Sequence, residues 1–248
     1  MARLRRFRLG RRVALVSMTV GLAAGVGAPA AFAGAPTTYC VHYSGYTCPS
    51  GSADEGNNLQ TALDAASMQP ASSASPNVVD IGPGSYVPVS GGFSYASSNP
   101  LQITGAGADT TVLTGAAGAD TVLSLGNSDT AETVSISGVS ITIQTDRGNG
   151  LILRGGVASH ITVTSQGTKT LGVGLDGATL SSSVIAGASF DTAVETAGQP
   201  GELDDDTVDA GAYGVVAYAQ ATIHRLTAEA SGYGVLAANA SAPSTTHS

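Results

Sequence analysis

Five short segments in the second half of the chain carry one repeated pattern of apolar and polar positions: residues 149–153, 171–175, 192–196, 213–217 and 233–237. Their third positions read Leu151, Val173, Val194, Val215 and Val235, at steps of 22, 21, 21 and 20 residues. Two positions further on stand Leu153, Leu175, Thr196, Ala217 and Ala237, and the positions between hold a mixed set, Ile152, Gly174, Glu195, Val216 and Leu236. Residues two apart share one face of a strand. Each repeat therefore predicts a short strand whose inward column is headed by these five Leu and Val residues. Val216 and Leu236 are expected on the outward face. The residue before each column position is Gly or Ala, which suits a corner.

A second set of short strands falls earlier in each repeat, at residues 140–143, 160–163 and 183–185. Looser versions continue upstream at 78–81, 101–103, 111–113, 121–123 and 134–136, nearly all closed by Gly, Asn, Asp or Ser. Leucine-rich repeats share the period but need an L-x-x-L-x-L frame that is missing. Sandwiches turn every ~8–12 residues without a stacking column. The pattern predicts an all-β parallel β-helix over residues 57–241, with coils of about 21 residues. Each coil holds two or three strands and stacks on the next at ~4.8 Å. One stretch departs from this. In residues 57–68, Leu59, Ala62, Leu63 and Ala66 follow helical spacing, with Asn57 or Asn58 as N-cap. Such a helix can cover the first coil and shield its strand edges.

Composition and charge remove several function classes. Of 248 residues, 33 are glycine, none is tryptophan and 11% are charged, against ~25% in ordinary soluble domains. With 42% hydrophobic residues, the chain is not a disordered acidic tail. Residues 1–12 hold six arginines, an apolar run follows from Val13 to about Val26, and Ala31-Phe32-Ala33 closes it. That order reads as a cleavable signal peptide over residues 1–33. The run is too short to span a bilayer, which takes ~20 residues. Secretion to the extracellular space is expected, with Sec and twin-arginine export both open. Six of the ten cations lie in this leader, while all 18 acidic residues lie beyond it. The mature chain therefore carries four cations, Arg147, Arg154, Lys169 and Arg225, and a net charge of −14. Such a surface repels nucleic acids and anionic membranes, so neither is an expected partner.

Residues 34–56 form a Gly, Ser and Tyr-rich segment with the only two cysteines, Cys40 and Cys48. In an exported chain these read as a disulfide. The alternative, a metal site, would need further ligands, and only His42 is close. At the other end, the last clear strand is 235–237 and residues 242–248 form a short polar tail. An uncapped solenoid exposes its core. Self-association through an open C-terminal end is the expectation, with a tail folded across that end, helped by Pro243, as the competing reading.

The segments NLQTALDAA, VVDIGPGSYV and LQITGAGADTTVLTG, in this order, resemble the N-terminal region of the pectin-lyase-like right-handed β-helix superfamily. The resemblance covers roughly residues 54–241, and within the superfamily the chain looks most like secreted β-helix repeat proteins of high-GC Gram-positive bacteria. It implies a right-handed coil, a cap helix and a groove along one face. Members include polysaccharide lyases and glycosidases, so the resemblance by itself implies no activity.

The chemistry of those enzymes is not legible here. A lyase of this kind uses an arginine base, but Arg147 and Arg154 flank one coil while Arg225 is distant, and Arg154 reads as a solvated corner. A hydrolase uses paired carboxylates. The acidic run Glu202–Asp206, with Asp191 one coil before and His224 one coil after, loosely follows that layout, but the accompanying motifs are missing. The run reads first as a solvated turn. Calcium held by Asp204, Asp205, Asp206 and Asp209 is the second reading, and catalysis the third. No catalytic residue and no other cofactor is assigned. Tyr213 and Tyr233 occupy one position in successive repeats, where they could stack on a sugar or on each other. The expected function is a non-catalytic surface or matrix scaffold that binds neutral glycans. A polysaccharide lyase or glycoside hydrolase is the alternative.

Overall fold

A computed structural model describes residues 36–127 and 134–238, and the backbone of residues 244–246. The expected leader, residues 1–33, lies outside the described residues. The chain winds as a right-handed parallel β-helix with three strands in each full coil. Right-handed return is the rule for parallel crossovers in one sheet. Sheet A has ten strands and sheets B and C have seven each, and every strand pairing in them is parallel.

The coils stack in register because each sheet sends one inward column into a shared core. In sheet A the column runs Tyr39, Val79, Ile103, Ile136, Ala158, Leu180, Leu203, Ile223. In sheet B it runs Tyr86, Leu113, Ile141, Val163, Ile185, Val208. In sheet C it runs Phe93, Leu123, Leu151, Val173, Val194, Val215. All of these are buried and belong to one hydrophobic cluster. Four of the five column residues expected from the repeat are fully buried, but Val235 is 41% exposed. No described coil packs beyond it. Val216 takes the outward place expected of it but adds no exposed apolar surface there, being buried at 4% exposure. It sits on the outer face of sheet C, covered between its register neighbours Glu195 and Leu236.

Two kinds of corner shape the coil. Within sheet C, the position before the column residue is Gly or Ala from Leu151 onward, whereas Val122 stands before Leu123. A Cβ on Gly172 would stand 2.7 Å from Ile185 Cγ2 and 2.5 Å from the Ala193 carbonyl. The corner from sheet A to sheet B places Gly138, His160, Ser182, Asp205 and Arg225 one above another with φ of 68°, 52°, 49°, 62° and 44°. Four of those five are not glycine, and left-handed backbone costs such residues roughly 1–2 kcal/mol. The backbone N–H groups of His160, Ser182 and Asp205 each donate to the next coil at 2.9–3.2 Å, which helps to offset that strain.

Helix α1, Leu59–Met68, buries Leu59, Ala62, Leu63 and Ala66 on the N-terminal end of the core. Asn58 is its N-cap, accepting from the Thr61 N–H. Strand Thr38–Val41 pairs with both Ala53–Asp54 and Asn77–Ile81, so the cysteine-containing segment is built into sheet A. Far along the chain, Ser244–Thr246 pairs with Ala221–His224. The tail thus adds a strand to sheet A, whereas sheets B and C end on Thr227–Ala230 and Tyr233–Ala237.

Candidate functional site

The outer face of sheet C changes character along the helix axis. One column reads Ser94, Ser124, Ile152, Gly174, Glu195, Val216, Leu236. The parallel column reads Thr121, Asn149, Leu171, Thr192, Tyr213, Tyr233. The first coils present hydroxyls and amides, and the last present apolar and aromatic groups. The ends of Ile152 and Leu171 cover Gly174, their Cδ1 and Cδ2 lying 2.8 Å and 3.5 Å from where a Cβ would stand.

Glu195 follows Gly174 in the same outward column. Its register neighbours are Gly174 and Val216, neither of which offers a polar side-chain atom. Its carboxylate has no hydrogen-bond or ion-pair partner among the described residues. Burial against these neighbours pushes its pKa above the ordinary glutamate value. Residue order does not set Glu195 apart from the other members of the mixed outward column. Next to it, Tyr213 and Tyr233 stack with ring centroids 6.0 Å apart and planes within 3°. Tyr233 is 58% exposed, so one ring face is held by its partner while the edge of the stack meets solvent.

A second feature lies at the start of the sheet A strands. A groove of about 440 Å³ crosses five coils, lined by Pro76, Pro100, Leu101, Val134, Val157 and Thr179 among others, and none of its lining residues is charged. Gly156 forms its floor with φ +81°, and any side chain there would run into the Val134 carbonyl.

The acidic run does not form one cluster. Asp204 faces outward on sheet A, where its Oδ1 lies 2.6 Å from Arg225 Nη2. That oxygen is shielded from solvent and is held as an ion pair, without a well-aligned hydrogen bond. Asp205 Oδ1 lies 3.8 Å from Arg225 Nε. Asp209 is exposed on the outer face of sheet B. Asp206 corrects the expectation of a solvated turn, being only 1% exposed. It takes the inward place that Val139, Ile161 and Ser183 take in earlier coils. Its Oδ1 accepts from the Ser183 N–H at 2.9 Å and its Oδ2 from the Asp204 N–H at 3.1 Å. Burial pushes its pKa up to about 6, against the lowering effect of those two N–H groups. His224 lies beside Asp204 in register, while Asp191 is on sheet C. Arg154 is half-buried and donates from Nη1 to Ser124 Oγ at 3.0 Å, so it is not a free corner cation.

Cys40 and Cys48 form a disulfide with Cα atoms 5.7 Å apart. His42 lies against it. Its Nδ1 donates to the Tyr43 carbonyl at 2.8 Å and its Nε2 meets Asp54 Oδ1 at 3.2 Å. The Tyr43 carbonyl and then Asp54 hold the imidazole pKa above its ordinary value. Asp54 is held low, first by the Gly56 N–H and then by His42.

No family model and no curated protein matches the chain. A solved structure of a pectin methylesterase variant in complex with a hexasaccharide is similar at 15% identity and a TM-score of 0.38. The match covers 75% of this chain and 55% of that one, so the chain spans about half the length of that structure. A likeness of this size carries no argument about activity.

Proposed function

We propose that the mature chain is a secreted, non-catalytic β-helix scaffold that holds neutral glycan chains against the outer face of sheet C. The observation that carries this reading is the strip formed by Ile152, Leu171, Glu195 and the Tyr213–Tyr233 stack. The C–H face of a pyranose packs on apolar and aromatic side chains, and a half-desolvated carboxylate accepts sugar hydroxyls. A net charge of −14 beyond the leader disfavours anionic chains at the same face. The signal-like leader and the disulfide support an extracellular destination. The exposed Val235 and Tyr233 support self-association through the last coil as a further property.

A polysaccharide hydrolase or lyase is the second reading, favoured by the raised pKa of Glu195, which suits a general acid. It has less support because hydrolysis needs a second carboxylate ~5–10 Å away across the substrate. The register neighbours of Glu195 on both sides are not acidic. Neutral and acidic polysaccharides incubated with the mature chain, with and without Ca²⁺, separate the two readings. Retention on a neutral glycan that Tyr213→Ala and Tyr233→Ala weaken, with no new ends formed, is the expected result. New reducing ends or unsaturated products that disappear in Glu195→Gln would replace the scaffold reading with the enzymatic one.

A further inference from the structure

We propose that Cys40, Cys48 and His42 are a redox-gated metal site: the disulfide closes it, and reduction opens it to one zinc ion. The Sγ atoms and a ring nitrogen of His42 lie within 4.8 Å of one another, the one such group of metal-capable side chains among the described residues. Tetrahedral zinc holds thiolate sulfur at ~2.3 Å and imidazole nitrogen at ~2.0–2.1 Å. Donor atoms this close need only side-chain rotation to meet a common centre, and the two Cα atoms, 5.7 Å apart, can stay in place.

The second observation concerns the imidazole. A histidine that ligates through one nitrogen usually donates its other N–H to a carbonyl or carboxylate, which fixes the ring. His42 already makes that contact, from Nδ1 to the Tyr43 carbonyl, so Nε2 can exchange its present partner, Asp54 Oδ1, for a metal. Asp54, adjacent to Cys40 in register, sits 3.2 Å from this Nε2.

The chemistry balances. A dithiol reductant supplies two electrons and two protons, the S–S bond breaks, and two thiols form while the reductant becomes a disulfide. Zinc then displaces the two thiol protons and any proton on Nε2, giving a site with Zn²⁺ and two thiolates. Oxidation by an oxidised dithiol reverses this: the sulfurs pair again, two electrons pass to the oxidant, and zinc leaves. A newly made chain in a reducing compartment has free thiols, so the metal would hold the segment until an oxidant replaces it. The inference stands independently of glycan binding.

Co²⁺ and Zn²⁺ titrations of the full-length chain, oxidised and after reduction with removal of the reductant, test it. The reduced chain should take up one ion with the visible absorption of tetrahedral cobalt thiolate, the oxidised chain none, and oxidised glutathione should expel the metal. His42→Ala should weaken uptake by at least the ~10–100-fold typical of losing even an outer-shell partner, while circular dichroism shows the β-helix retained. Absent uptake by the reduced chain, equal uptake by the oxidised chain, or unchanged affinity in His42→Ala would each overturn the proposal. A fourth contrary result is uptake that survives in Cys40→Ser/Cys48→Ser.

Discussion

The two ends of the β-helix treat the same core in opposite ways. At the first coils, α1 lays Leu59, Ala62, Leu63 and Ala66 over the core columns, all at most 1% exposed. Asn77 completes that seal. Its Nδ2 donates to the carbonyls of Ala66 and Gln69, where α1 ends, and its Oδ1 accepts from the Thr37 N–H. Free helix C-terminal carbonyls over a core need such partners. At the other end, Tyr233–Ala237 has no described coil beyond it and alternates between exposed and half-buried residues. Just before it, the inward corner column switches from Val139 and Ile161 to Ser183 and Asp206. The comparison teaches that an apolar column is only as buried as its second neighbour. A repeat position carries no fixed burial of its own.

The largest test of this contrast places a charge at equivalent positions of one column. Val194→Asp puts an unpaired carboxylate between two coils and should destabilise by more than ~4 kcal/mol, abolishing cooperative folding. Val235→Asp should stay within ~0.5 kcal/mol of the parent. Circular dichroism and urea unfolding read both, and a folded Val194→Asp protein would show that the column is not internal. Next, Leu63→Ala opens a cavity under the N-terminal seal and should cost about 2–5 kcal/mol in urea unfolding. A loss well below that range would mean that α1 does not close the core.

A smaller effect belongs to Asp206. Its folded pKa, about 6, is raised above the ordinary 3.8. A raised carboxylate pKa means that the folded state prefers the proton. This contribution is full below about pH 3.8 and is lost as pH rises through about 6. Unfolding free energy in the C-terminal coils should therefore fall by on the order of 2–3 kcal/mol from pH 4 to pH 7. Asp206→Asn should flatten that slope, and hydrogen exchange at the Ser183 and Thr227 amides follows it locally. An unchanged slope in the asparagine variant would remove Asp206 as its source.

The smallest effects lie at the exposed end itself. Tyr233→Ala removes one ring of the stack and should cost ~0.5–1 kcal/mol of stability. If the last coil associates, light scattering should show concentration-dependent growth for the parent chain that Val235→Asp suppresses. A parent chain that stays monomeric at high concentration would end that reading.

Much of this was legible from residue order. The sheet C strands announce themselves because each has two inward side chains, so the alternation at Leu151 and Leu153 or Val173 and Leu175 stands out. Helix α1 was readable because four apolar residues in ten share its face. Strands such as Val157–Ser159 and Thr179–Ser181 were missed. Each is three residues long with one inward side chain, Ala158 or Leu180, too little to make a periodic signal. The candidate site divides in the same way. The matching positions of Tyr213 and Tyr233 are visible in the repeat, but the isolation of Glu195 beside Gly174 is not.

What the sequence determined alone is the coil: its period, its inward columns, its helical seal and its cysteine pair. These depend on side-chain alternation and on residues close in the chain. Tertiary structure decided the environment of each repeated position. In residue order Asp206 looks like its neighbours Asp204 and Asp205, and only the left-handed turn at Asp205 rotates it into the core. Val216 sits in an outward position and Val235 in an inward one, yet Val216 is buried and Val235 exposed. Burial is set by which atoms lie across the gap. In a solenoid those atoms belong to the next coil, about twenty residues away.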